Sequence, residues 1–271
     1  MADTTTYIQM LVVYHYLMEP TIRSAIKALQ LPTGSRGLDA GCGIGLQALL
    51  LSETVGSIGH VTGLDISSVF LLLAEGMVRK AGLSKRISFQ EGDVSKLPFD
   101  DDTFDWVWSS NCVGYSDSLD PMPTVKELVR VVKPGGSVAI LAWSSENLLP
   151  GYPLLEARLG ATSSAIAPFI RGKRPELHFL RALGWFRDAG LGELTARTFV
   201  GDAYAPLGDN VRCALIELFR MRWAGVESEL RQDDLVEYQR LCKPDSPDFI
   251  LNHTDYYYFF TCSMFHGKVQ K

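Results

Sequence analysis

The fold of this chain is decided by the stretch Gly37-Leu38-Asp39-Ala40-Gly41-Cys42-Gly43-Ile44-Gly45-Leu46. Its first half has the apolar character of a short buried strand, and its second half carries a glycine at every other position. The apolar segment 47–51 that follows predicts the start of a helix. The first turn of a helix leaves backbone N–H groups unpaired, and glycine has no Cβ to keep a ligand away from them. The stretch therefore predicts a strand, a turn and a helix that together form a site for an anion or a nucleotide.

The glycine spacing separates two kinds of nucleotide site. A dinucleotide-binding turn has the pattern Gly-x-Gly-x-x-Gly. Here the third glycine comes one residue early, at Gly45, and position 46 is leucine. The spacing thus counts against a nicotinamide-dependent (NAD-type) oxidoreductase, which stays open as the alternative enzyme class for a sheet of this kind.

Composition places the chain among globular proteins with a substantial core. It has 271 residues, of which 46% are hydrophobic and 21% charged, and its formal net charge is −5. Nucleic-acid partners favour a basic surface, and no long block of lysine or arginine occurs, so we do not expect a nucleic-acid partner. No stretch approaches the roughly 18 apolar residues of a membrane-spanning helix, and the N-terminal residues lack the pattern of a secretion signal. We therefore expect neither membrane insertion nor secretion.

The cysteine and histidine patterns argue against a metal site. The five cysteines stand at positions 42, 112, 213, 242 and 262, and no two of them form a Cys-x-x-Cys pair. The five histidines are likewise not at metal-ligand spacing. We therefore expect reduced thiols in a cytoplasmic protein, with neither a disulfide framework nor a bound metal ion.

Strands and helices alternate regularly from the glycine turn to Trp143. Apolar periodicity and capping residues predict helices over 45–55, 68–81 and 123–132, and strands over 60–65, 87–90, 104–109 and 137–143, with a sharp stop at 133–136. This alternation predicts a parallel, doubly wound sheet with right-handed crossovers. Because such sheets bind ligands at the carboxyl ends of their strands, four loops should share one rim. They are the loops after Gly41, Asp65, Asp93 and Asn111.

The segments outside this alternation predict helices and two late strands. A helix is expected over 7–30, interrupted at Glu19-Pro20, because proline cannot continue a hydrogen-bonded turn. The long connection between the two late strands indicates an antiparallel pair at the sheet edge. Beyond Trp143 the pattern predicts, in order, a short helix near 153–160, a helix over 175–189, a strand over 193–200, helices near 209–224 and 232–242, and an aromatic strand over 256–266.

We therefore predict an α/β fold, with a doubly wound, mainly parallel, seven-stranded Rossmann-like sheet, an antiparallel C-terminal strand and helical lid insertions. The whole chain, 1–271, is expected to form a single domain. Its core is predicted to be 31–143, 175–202 and 254–269, and its lid or insertions to be 1–30, 144–174 and 203–253.

Three polar residues at strand ends are candidates for ligand binding. Asp65 ends the second strand, 20 residues after Gly45, where a carboxylate accepts hydrogen bonds from ribose hydroxyls. The alternative for Asp65 is a helix-capping or turn aspartate. Asp93, beside Val94, is either a partner for an adenine amino group or a turn residue after a glycine. Asn111 is either a contact for the reacting end of a ligand or a polar cap at a strand end.

Cysteines and histidines near these positions have simpler interpretations. Cys42 and Cys112 have no base beside them in the sequence, so they are interpreted as small packing residues rather than nucleophiles. His178 and His253 lie in or near the insertions, where each is either a base that faces a substrate or an ordinary core or surface histidine. No catalytic residue is assigned from the sequence.

A family resemblance comes from four motifs that follow one another over residues 36–143. They are Leu38-Asp39-Ala40-Gly41-Cys42-Gly43-Ile44-Gly45; Gly63-Leu64-Asp65-Ile66-Ser67; Glu91-Gly92-Asp93-Val94 with Leu97-Pro98-Phe99-Asp100 and Phe104-Asp105; and Val132-Lys133-Pro134-Gly135-Gly136. Together they resemble the class I S-adenosylmethionine-dependent methyltransferases, and most closely the small-molecule branch that includes the ubiquinone and menaquinone type. The resemblance covers about half of the chain.

The resemblance implies S-adenosyl-L-methionine as cofactor, S-adenosyl-L-homocysteine as product, and a set of binding residues. The turn from Gly41 to Gly45 would hold the methionyl part of the cofactor. Asp65 would bind the ribose hydroxyls, with Ile66 against the adenine. The cofactor-binding set is Asp39, Gly41, Cys42, Gly43, Asp65, Ile66, Asp93, Val94 and Asn111.

The remaining roles in this set concern the two ends of the cofactor. Asp93 and Val94 would hold the adenine edge, and Asn111, through its carbonyl, would face the methionyl amine. An N-terminal aromatic residue often covers the cofactor in this branch, and Tyr14 or Tyr16 would do so here.

The resemblance also implies methyl transfer to a small acceptor by in-line displacement. Holding donor and acceptor in line contributes up to roughly 7–11 kcal/mol of the barrier, so such an enzyme needs no conspicuous acid or base. A base is needed only where the acceptor must first lose a proton. The non-enzymatic alternative is a cofactor-binding subunit whose pocket is blocked by the insertions.

Aromatic residues in and near the insertions suggest the nature of the acceptor. We expect the acceptor beneath the N-terminal helix and the insertions, and we expect it to be a small, apolar or aromatic metabolite. The alternative is that these rings form only the core of the lid. They are Tyr152, Phe169, Phe179, Trp185, Tyr204, Phe219, Trp223 and Phe249.

Overall fold

The computed structural model describes residues 4–114, 120–170 and 174–270, with the side chains of 4–7 and 167–170 outside the description. Its α-helices are α1 (Thr4–Ala28), α2 (Leu46–Val55), α3 (Ser68–Lys80), α4 (Met122–Arg130), α5 (Pro153–Gly160), α6 (Ser163–Ile170), α7 (Ala182–Asp188), α8 (Asp209–Arg222) and α9 (Gln232–Cys242). Its strands are β1 (Arg36–Ala40), β2 (His60–Asp65), β3 (Ile87–Glu91), β4 (Phe104–Ser110), β5 (Val132–Asn147), β6 (Leu191–Tyr204) and β7 (Tyr257–Val269). Short 3₁₀ turns cover Pro175–Leu177, Phe179–Arg181, Val226–Ser228 and Ile250–Asn252.

The strands form one seven-stranded sheet in the order β3-β2-β1-β4-β5-β7-β6. The first five are parallel to their neighbours, and β7, inserted between β5 and β6, is antiparallel. This confirms the predicted Rossmann-like fold class. The strand order reverses between β1 and β4, which is the point at which open α/β sheets bind ligands.

The register of the central strands decides which side chains share a face. Asp39 lies opposite Gly63 on β2 and opposite Trp108 on β4. Directly aligned residues of a parallel sheet point to the same face, and so do residues two positions further along each strand. Asp39, Asp65 and Ser110 therefore face the same side of the sheet, at the carboxyl ends of three adjacent strands.

The described residues group into two compact units. The sheet unit contains those of Pro20–Trp143, Lys173–Phe199 and Cys262–Lys271, and the helical unit contains those of Met1–Glu19, Ser144–Gly172 and Val200–Thr261. The predicted division of the chain into a core and a lid stays a prediction.

Large aromatic side chains fill the core of the sheet unit. Trp106 and Trp108 are almost completely buried, and their indole N–H groups donate to Ser35 Oγ at 2.9 Å and to Gln47 Oε1 at 2.7 Å. A Cβ at Gly37 would overlap the Trp106 ring, which explains the glycine at the start of β1. The partnered indoles fix the orientation of both rings because a buried N–H without a partner is costly.

A buried ion pair and a cluster of rings stabilise the helical unit. Arg222, only 7% exposed, binds both carboxylate oxygens of Glu146, with Nε–Oε1 at 2.8 Å and Nη2–Oε2 at 3.0 Å. Phe219 packs against Trp223 with ring centroids 4.7 Å apart, and against Phe249 at 6.3 Å in an edge-on arrangement. Helix α8 thus contributes Phe219 and Arg222 to this core.

Proline does not interrupt the first helix, contrary to the prediction. Helix α1 runs through Pro20, which is exposed. The residues around it, among them Leu17 and Ile22, are buried, so packing outweighs the one backbone hydrogen bond that proline removes. Because Pro20 lies on the exposed face, water can replace that bond.

Two later elements also differ from the prediction. The helix expected over 175–189 is two 3₁₀ turns followed by α7, because His178 has extended backbone and its Nδ1 accepts the Leu180 N–H at 3.2 Å. The stop predicted at 133–136 is instead a bulge within β5, whose pairing with β4 passes from Val132–Phe104 to Ser137–Trp106.

Candidate cofactor-binding site

The glycine turn requires glycine at its first position for two reasons. Gly41, Gly43 and Gly45 have φ values of +78°, +54° and +79°, in the left-handed region that glycine adopts without strain. A Cβ on Gly41 would also lie 2.5 Å from Cys112 Sγ. The N–H groups of Gly41 and Cys42 both donate to Leu64 O, at 2.8 and 2.9 Å, so β2 holds the turn in place.

Asp65 connects the turn to the next helix. Its Oδ2 accepts the Gly43 N–H at 2.8 Å, and its Oδ1 accepts the Ser67 N–H at 3.0 Å. Ser67 in turn caps α3, its hydroxyl accepting the Phe70 N–H at 3.4 Å. The interpretation of Asp65 as a turn aspartate is therefore correct for these two hydrogen bonds. It does not exclude ribose binding, because each carboxylate oxygen can accept a second hydrogen bond.

Asp39 is a buried carboxyl group at the end of β1. It is 2% exposed, and within the described parts of the chain its Oδ2 has no hydrogen-bond partner. Burial, and secondly the negative charge of Asp65, raise the pKa of Asp39 to about 8. Ser110 Oγ, on the same face of the sheet, is also buried without a partner among the described residues. Two unsatisfied buried polar atoms at one rim indicate a place for a polar ligand group.

Asp93 and Asn111 are partly engaged in local structure. Asp93 Oδ1 accepts both the N–H and the O–H of Ser95 at 2.7 Å, and these hydrogen bonds hold the pKa of the exposed Asp93 below its ordinary value. Asn111, which is exposed and has φ +49°, accepts the Trp143 N–H on its side-chain oxygen at 2.8 Å. Asp93 Oδ1 thus acts as a turn acceptor, and Asn111 Oδ1 acts as a polar cap at a strand end. The roles of both residues toward a cofactor stay predictions.

The two cysteines near the turn are unreactive. Burial raises the pKa of Cys112 to about 11 and that of Cys42 still further. Both stay protonated thiols at neutral pH, and thiols are poor nucleophiles. A Cβ on Gly63 would lie 2.6 Å from the Phe89 ring and 2.9 Å from Cys42 Sγ, so the ring and this thiol together fill the space that the glycine of β2 leaves. The interpretation of Cys42 as a packing residue agrees with this environment.

The remaining candidates lie in varied surroundings. Ile66 is 72% exposed and Val94 is half-buried. Tyr14, whose pKa is raised mainly by burial, donates from its hydroxyl to Met221 Sδ at 3.6 Å, whereas Tyr16 is 46% exposed. Which tyrosine covers a cofactor stays a prediction. His178 caps a 3₁₀ turn through its Nδ1, as described above.

Sequence reasoning missed Ser110 and the Trp108–Gln47 hydrogen bond. A serine two residues after a buried tryptophan faces the same side of its strand, and that spacing was the available signal. Whether the Ser110 hydroxyl has a hydrogen-bond partner depends on the residues that pack against that face of the sheet. The alternation of side chains along a strand does not identify those residues. No group of three or more metal-ligating side chains, and no helix long and apolar enough to cross a bilayer, occurs among the described residues.

Comparisons with known proteins agree with this geometry. A family model described as a methyltransferase domain matches residues 38–140. The demethylmenaquinone methyltransferase of Lysinibacillus sphaericus is 38% identical over 192 residues, covering 66% of this chain and 80% of the relative. That of Staphylococcus epidermidis is 30% identical over 200 residues, covering 68% and 78%. These relatives favour methyl transfer over nicotinamide chemistry and over a non-catalytic subunit.

Solved structures share the fold at low sequence identity. The YcgJ protein of Bacillus subtilis has a TM-score of 0.58 and 16% identity, covering 93% of this chain and 99% of that one. A phosphoethanolamine N-methyltransferase of Haemonchus contortus, solved with S-adenosyl-L-methionine, has a TM-score of 0.54 and 16% identity, covering 96% and 56%. With the relatives above, the glycine turn and the strand-end aspartates, the conclusion is that this chain belongs to the class I S-adenosylmethionine-dependent methyltransferases and transfers a methyl group from that cofactor to a small-molecule acceptor.

Proposed function

We propose that the carboxyl ends of β1, β2 and β4 hold S-adenosylmethionine, with Asp65 binding the two ribose hydroxyls. The observation that carries this proposal is the double engagement of Asp65, which accepts the N–H groups of Gly43 and Ser67. Those bonds fix the carboxylate, and each oxygen keeps a lone pair for one hydroxyl. Ile66, next in the chain and 72% exposed, offers an apolar surface for the adenine ring.

The methionyl end of the cofactor is assigned to the unsatisfied polar atoms at the same rim. An ammonium group has three donors, and Asp39 Oδ2 and Ser110 Oγ are two buried acceptors without partners in the described structure. Pairing them with an ammonium group would remove the cost of leaving them unsatisfied. Asn111 keeps a second lone pair on its side-chain oxygen for the same group. Asp93, with Oδ1 already bonded to Ser95, offers its other oxygen to the adenine amino group.

When bound, S-adenosylmethionine would supply an electrophilic methyl group on a positively charged sulfur. The residues of this chain contribute by orientation. Fixing both partners in line contributes several kcal/mol, up to roughly 7–11, without an acid or base. No side chain is assigned as a base, and the Nδ1 of His178 accepts the Leu180 N–H as a turn cap.

For the acceptor we propose a small apolar or aromatic metabolite, with a demethylmenaquinone-type ring as the first candidate. The names of the relatives at 30% and 38% identity support this choice. The aromatic residues of the insertions support it less, because Phe219, Trp223 and Phe249 are buried and form the core of the helical unit. Tyr204, 71% exposed, is free to contact an acceptor, and Phe169 lies outside the described side chains.

The cofactor assignment is tested with Asp65→Ala and isothermal titration calorimetry of S-adenosylhomocysteine. A charge-assisted hydrogen bond contributes about 1.5–3 kcal/mol, so we expect affinity to fall by at least about tenfold. Asp65→Asn, which keeps one acceptor oxygen, should lose less. The control is Asp100→Ala, which removes an exposed carboxylate outside the proposed set. Unchanged affinity in the Asp65→Ala protein would show that the ribose lies elsewhere.

The acceptor assignment is tested by incubating the protein with S-adenosylmethionine and a panel of candidate acceptors. Mass spectrometry should detect the gain of one methyl group on a demethylmenaquinone-type ring and on few polar metabolites. Methylation of polar compounds alone would overturn the apolar or aromatic class while leaving the cofactor site intact.

A further inference from the structure

Helix α3 exposes apolar side chains on the side where a surface helix ordinarily carries polar ones. Its buried residues are Leu71, Ala74 and Val78. On the opposite side of the helix, Val69 is 47% exposed, Leu72 is 69% exposed and Leu73 is 40% exposed. Apolar residues that are exposed singly are ordinary on a protein surface, whereas adjoining ones mark a surface that meets another body. The outer side of α3 therefore indicates a contact surface.

Positive charge adjoins these apolar side chains. The segment 66–90 contains four basic residues and a single glutamate, although the chain as a whole has a net charge of −5. Arg79, Lys80 and Lys85 are exposed, and none of them forms a salt bridge with another described residue. The fourth, Arg86, donates hydrogen bonds to two backbone carbonyls. Three cations near the apolar residues are thus available to an anionic partner.

The apolar and basic residues share one side of α3. Two helical turns separate Leu72 from Arg79 and Leu73 from Lys80, so each cation follows a leucine along the helix. Gly76 lies between them, and a Cβ built there would meet no atom within 4 Å. No bulky side chain therefore interrupts this side of the helix, which is apolar toward its N-terminus and basic toward its C-terminus.

The residue types favour a lipid surface over a protein partner. The cores of protein–protein interfaces are enriched in aromatic residues, methionine and arginine and depleted in lysine, and leucine and valine are scarce among their strongest contacts. Here the apolar residues are all aliphatic, and two of the three exposed cations are lysines, whose aliphatic stems can lie along acyl chains while the ammonium groups stay in water. A second copy that met the same surface would offer only Glu75 to balance these cations.

We propose that this side of α3 docks the protein on a membrane surface that contains anionic phospholipids. The surface, which we call the α3 face, consists of Val69, Leu72, Leu73, Arg79, Lys80 and Lys85. The aliphatic side chains enter the boundary between headgroups and acyl chains, and the cations meet the lipid phosphates. The helix lies along the surface and does not cross the bilayer. None of these residues belongs to the proposed cofactor set, so the proposal does not depend on that assignment.

The charge requirement is tested by sedimenting the full chain with lipid vesicles. Vesicles of equal parts phosphatidylglycerol and phosphatidylcholine should bind at least tenfold more tightly than vesicles of phosphatidylcholine alone, and added salt should weaken the binding. Each basic residue near an anionic surface contributes about fivefold in affinity. The double variant Lys80→Gln and Lys85→Gln should therefore lose at least about tenfold. The matched control is Lys27→Gln with Lys126→Gln, which removes two exposed lysines of α1 and α4 and should leave binding unchanged.

The apolar requirement is tested with one leucine of the α3 face and one elsewhere. Leu72→Gln should weaken binding to the anionic vesicles at least about fivefold. Leu154→Gln changes a leucine of α5 that is 62% exposed, and it should have no effect. Because the five tryptophans of the chain are buried, a new surface tryptophan can be followed by its fluorescence. Leu72→Trp should show a blue shift when anionic vesicles are added, and Leu154→Trp should not.

Four outcomes would overturn the proposal. They are absence of binding to the anionic vesicles, equal binding to the neutral ones, unchanged binding in both the lysine and the Leu72→Gln variants, and a blue shift confined to Leu154→Trp. Sedimentation velocity without vesicles tests the alternative occupant. Self-association of the unaltered protein that Leu72→Gln abolishes would assign the α3 face to a second copy of this chain instead of a membrane.

Discussion

Asp39 is a carboxyl group whose chemistry departs far from its ordinary behaviour. Its carboxyl group is buried, one of its oxygens has no partner among the described residues, and burial together with Asp65 raises its pKa to about 8. The folded protein therefore holds the proton more tightly than the unfolded chain, in which an aspartate titrates near pH 4. The tighter binding of this proton stabilises the folded state fully at pH values below the pKa of the unfolded chain. That stabilisation is lost as the pH rises through the pKa of the folded protein.

This linkage predicts a pH-dependent stability that one substitution should remove. Between pH 5 and 8 the free energy of unfolding of the ligand-free protein should fall, by at most about 1.4 kcal/mol per pH unit from this group. Asp39→Asn cannot ionise, so its unfolding in urea should show a smaller decline over that range. Asp93→Asn is the matched control, because the pKa of Asp93 is lowered and this residue stays ionised throughout the range. An equal slope in the Asp39→Asn protein would rule out the titration of Asp39.

At the level of residues, the sequence revealed the carboxylates but not their neighbours. Asp65 followed from its distance to the glycine turn, because the length of one βαβ unit places it at the rim. The hydrogen bond from Trp143 N–H to Asn111 was not predictable, since it depends on how β4 and β5 align at their ends. The Ser110 hydroxyl, which has no partner in the described parts of the chain, was unpredictable for the same reason, because pairing depends on how the strands and their neighbours pack.

Among the elements, the turn between β1 and α2 is sensitive to substitution at its first glycine. Gly41 has φ +78° and no room for a Cβ beside Cys112, whereas Gly82, after α3, has φ +71° with nothing within 4 Å of a built Cβ. Gly82→Ala should cost only the backbone strain, about 1–2 kcal/mol. Gly41→Ala should cost roughly 1–3 kcal/mol more because the added carbon overlaps Cys112.

Urea unfolding of both glycine variants measures this difference. The extra cost of Gly41→Ala should shrink when Cys112→Ala removes the sulfur that the new Cβ would meet. Binding of S-adenosylhomocysteine should weaken in the Gly41→Ala protein and stay unchanged in the Gly82→Ala protein. Equal destabilisation by the two substitutions would mean that backbone strain alone explains the glycine at position 41.

The elements that sequence patterns predicted well are those with strong local signals. The helix α3 has a serine cap and a terminal glycine, and its predicted bounds agree with the structure to within one residue. The predicted interruption at Pro20 and the predicted stop at 133–136 were wrong because tertiary packing outweighs the local effect of proline and glycine. Buried neighbours keep α1 continuous through Pro20, and strand pairing absorbs the segment 133–136 as a bulge in β5. Sequence patterns indicate the free-energy cost of a proline or glycine within a helix or strand. The contacts around that residue decide whether the helix or strand ends there.

In the whole molecule, the proposed cofactor site belongs to one unit. The residues proposed for the cofactor, Asp39 to Asn111, lie in the sheet unit. The sequence predicted the sheet because its strands and helices alternate. It could not predict that Phe219, Trp223 and Tyr238 pack against one another in the helical unit, because such packing depends on how helices meet and leaves no periodic pattern.

This assignment predicts a localised response to the cofactor product in hydrogen exchange and in thermal unfolding. S-adenosylhomocysteine should slow amide exchange in 41–45 and 65–67. At a ligand concentration of about 100 times its Kd, binding stabilises the folded state by about 2.7 kcal/mol, which corresponds to a rise in Tm of roughly 5–10 °C for a chain of this size. NAD at the same concentration should produce no such rise, since the Gly-x-Gly-x-Gly turn lacks the dinucleotide spacing. A larger rise with NAD than with S-adenosylhomocysteine would contradict the role of the glycine turn as the methyl-donor site.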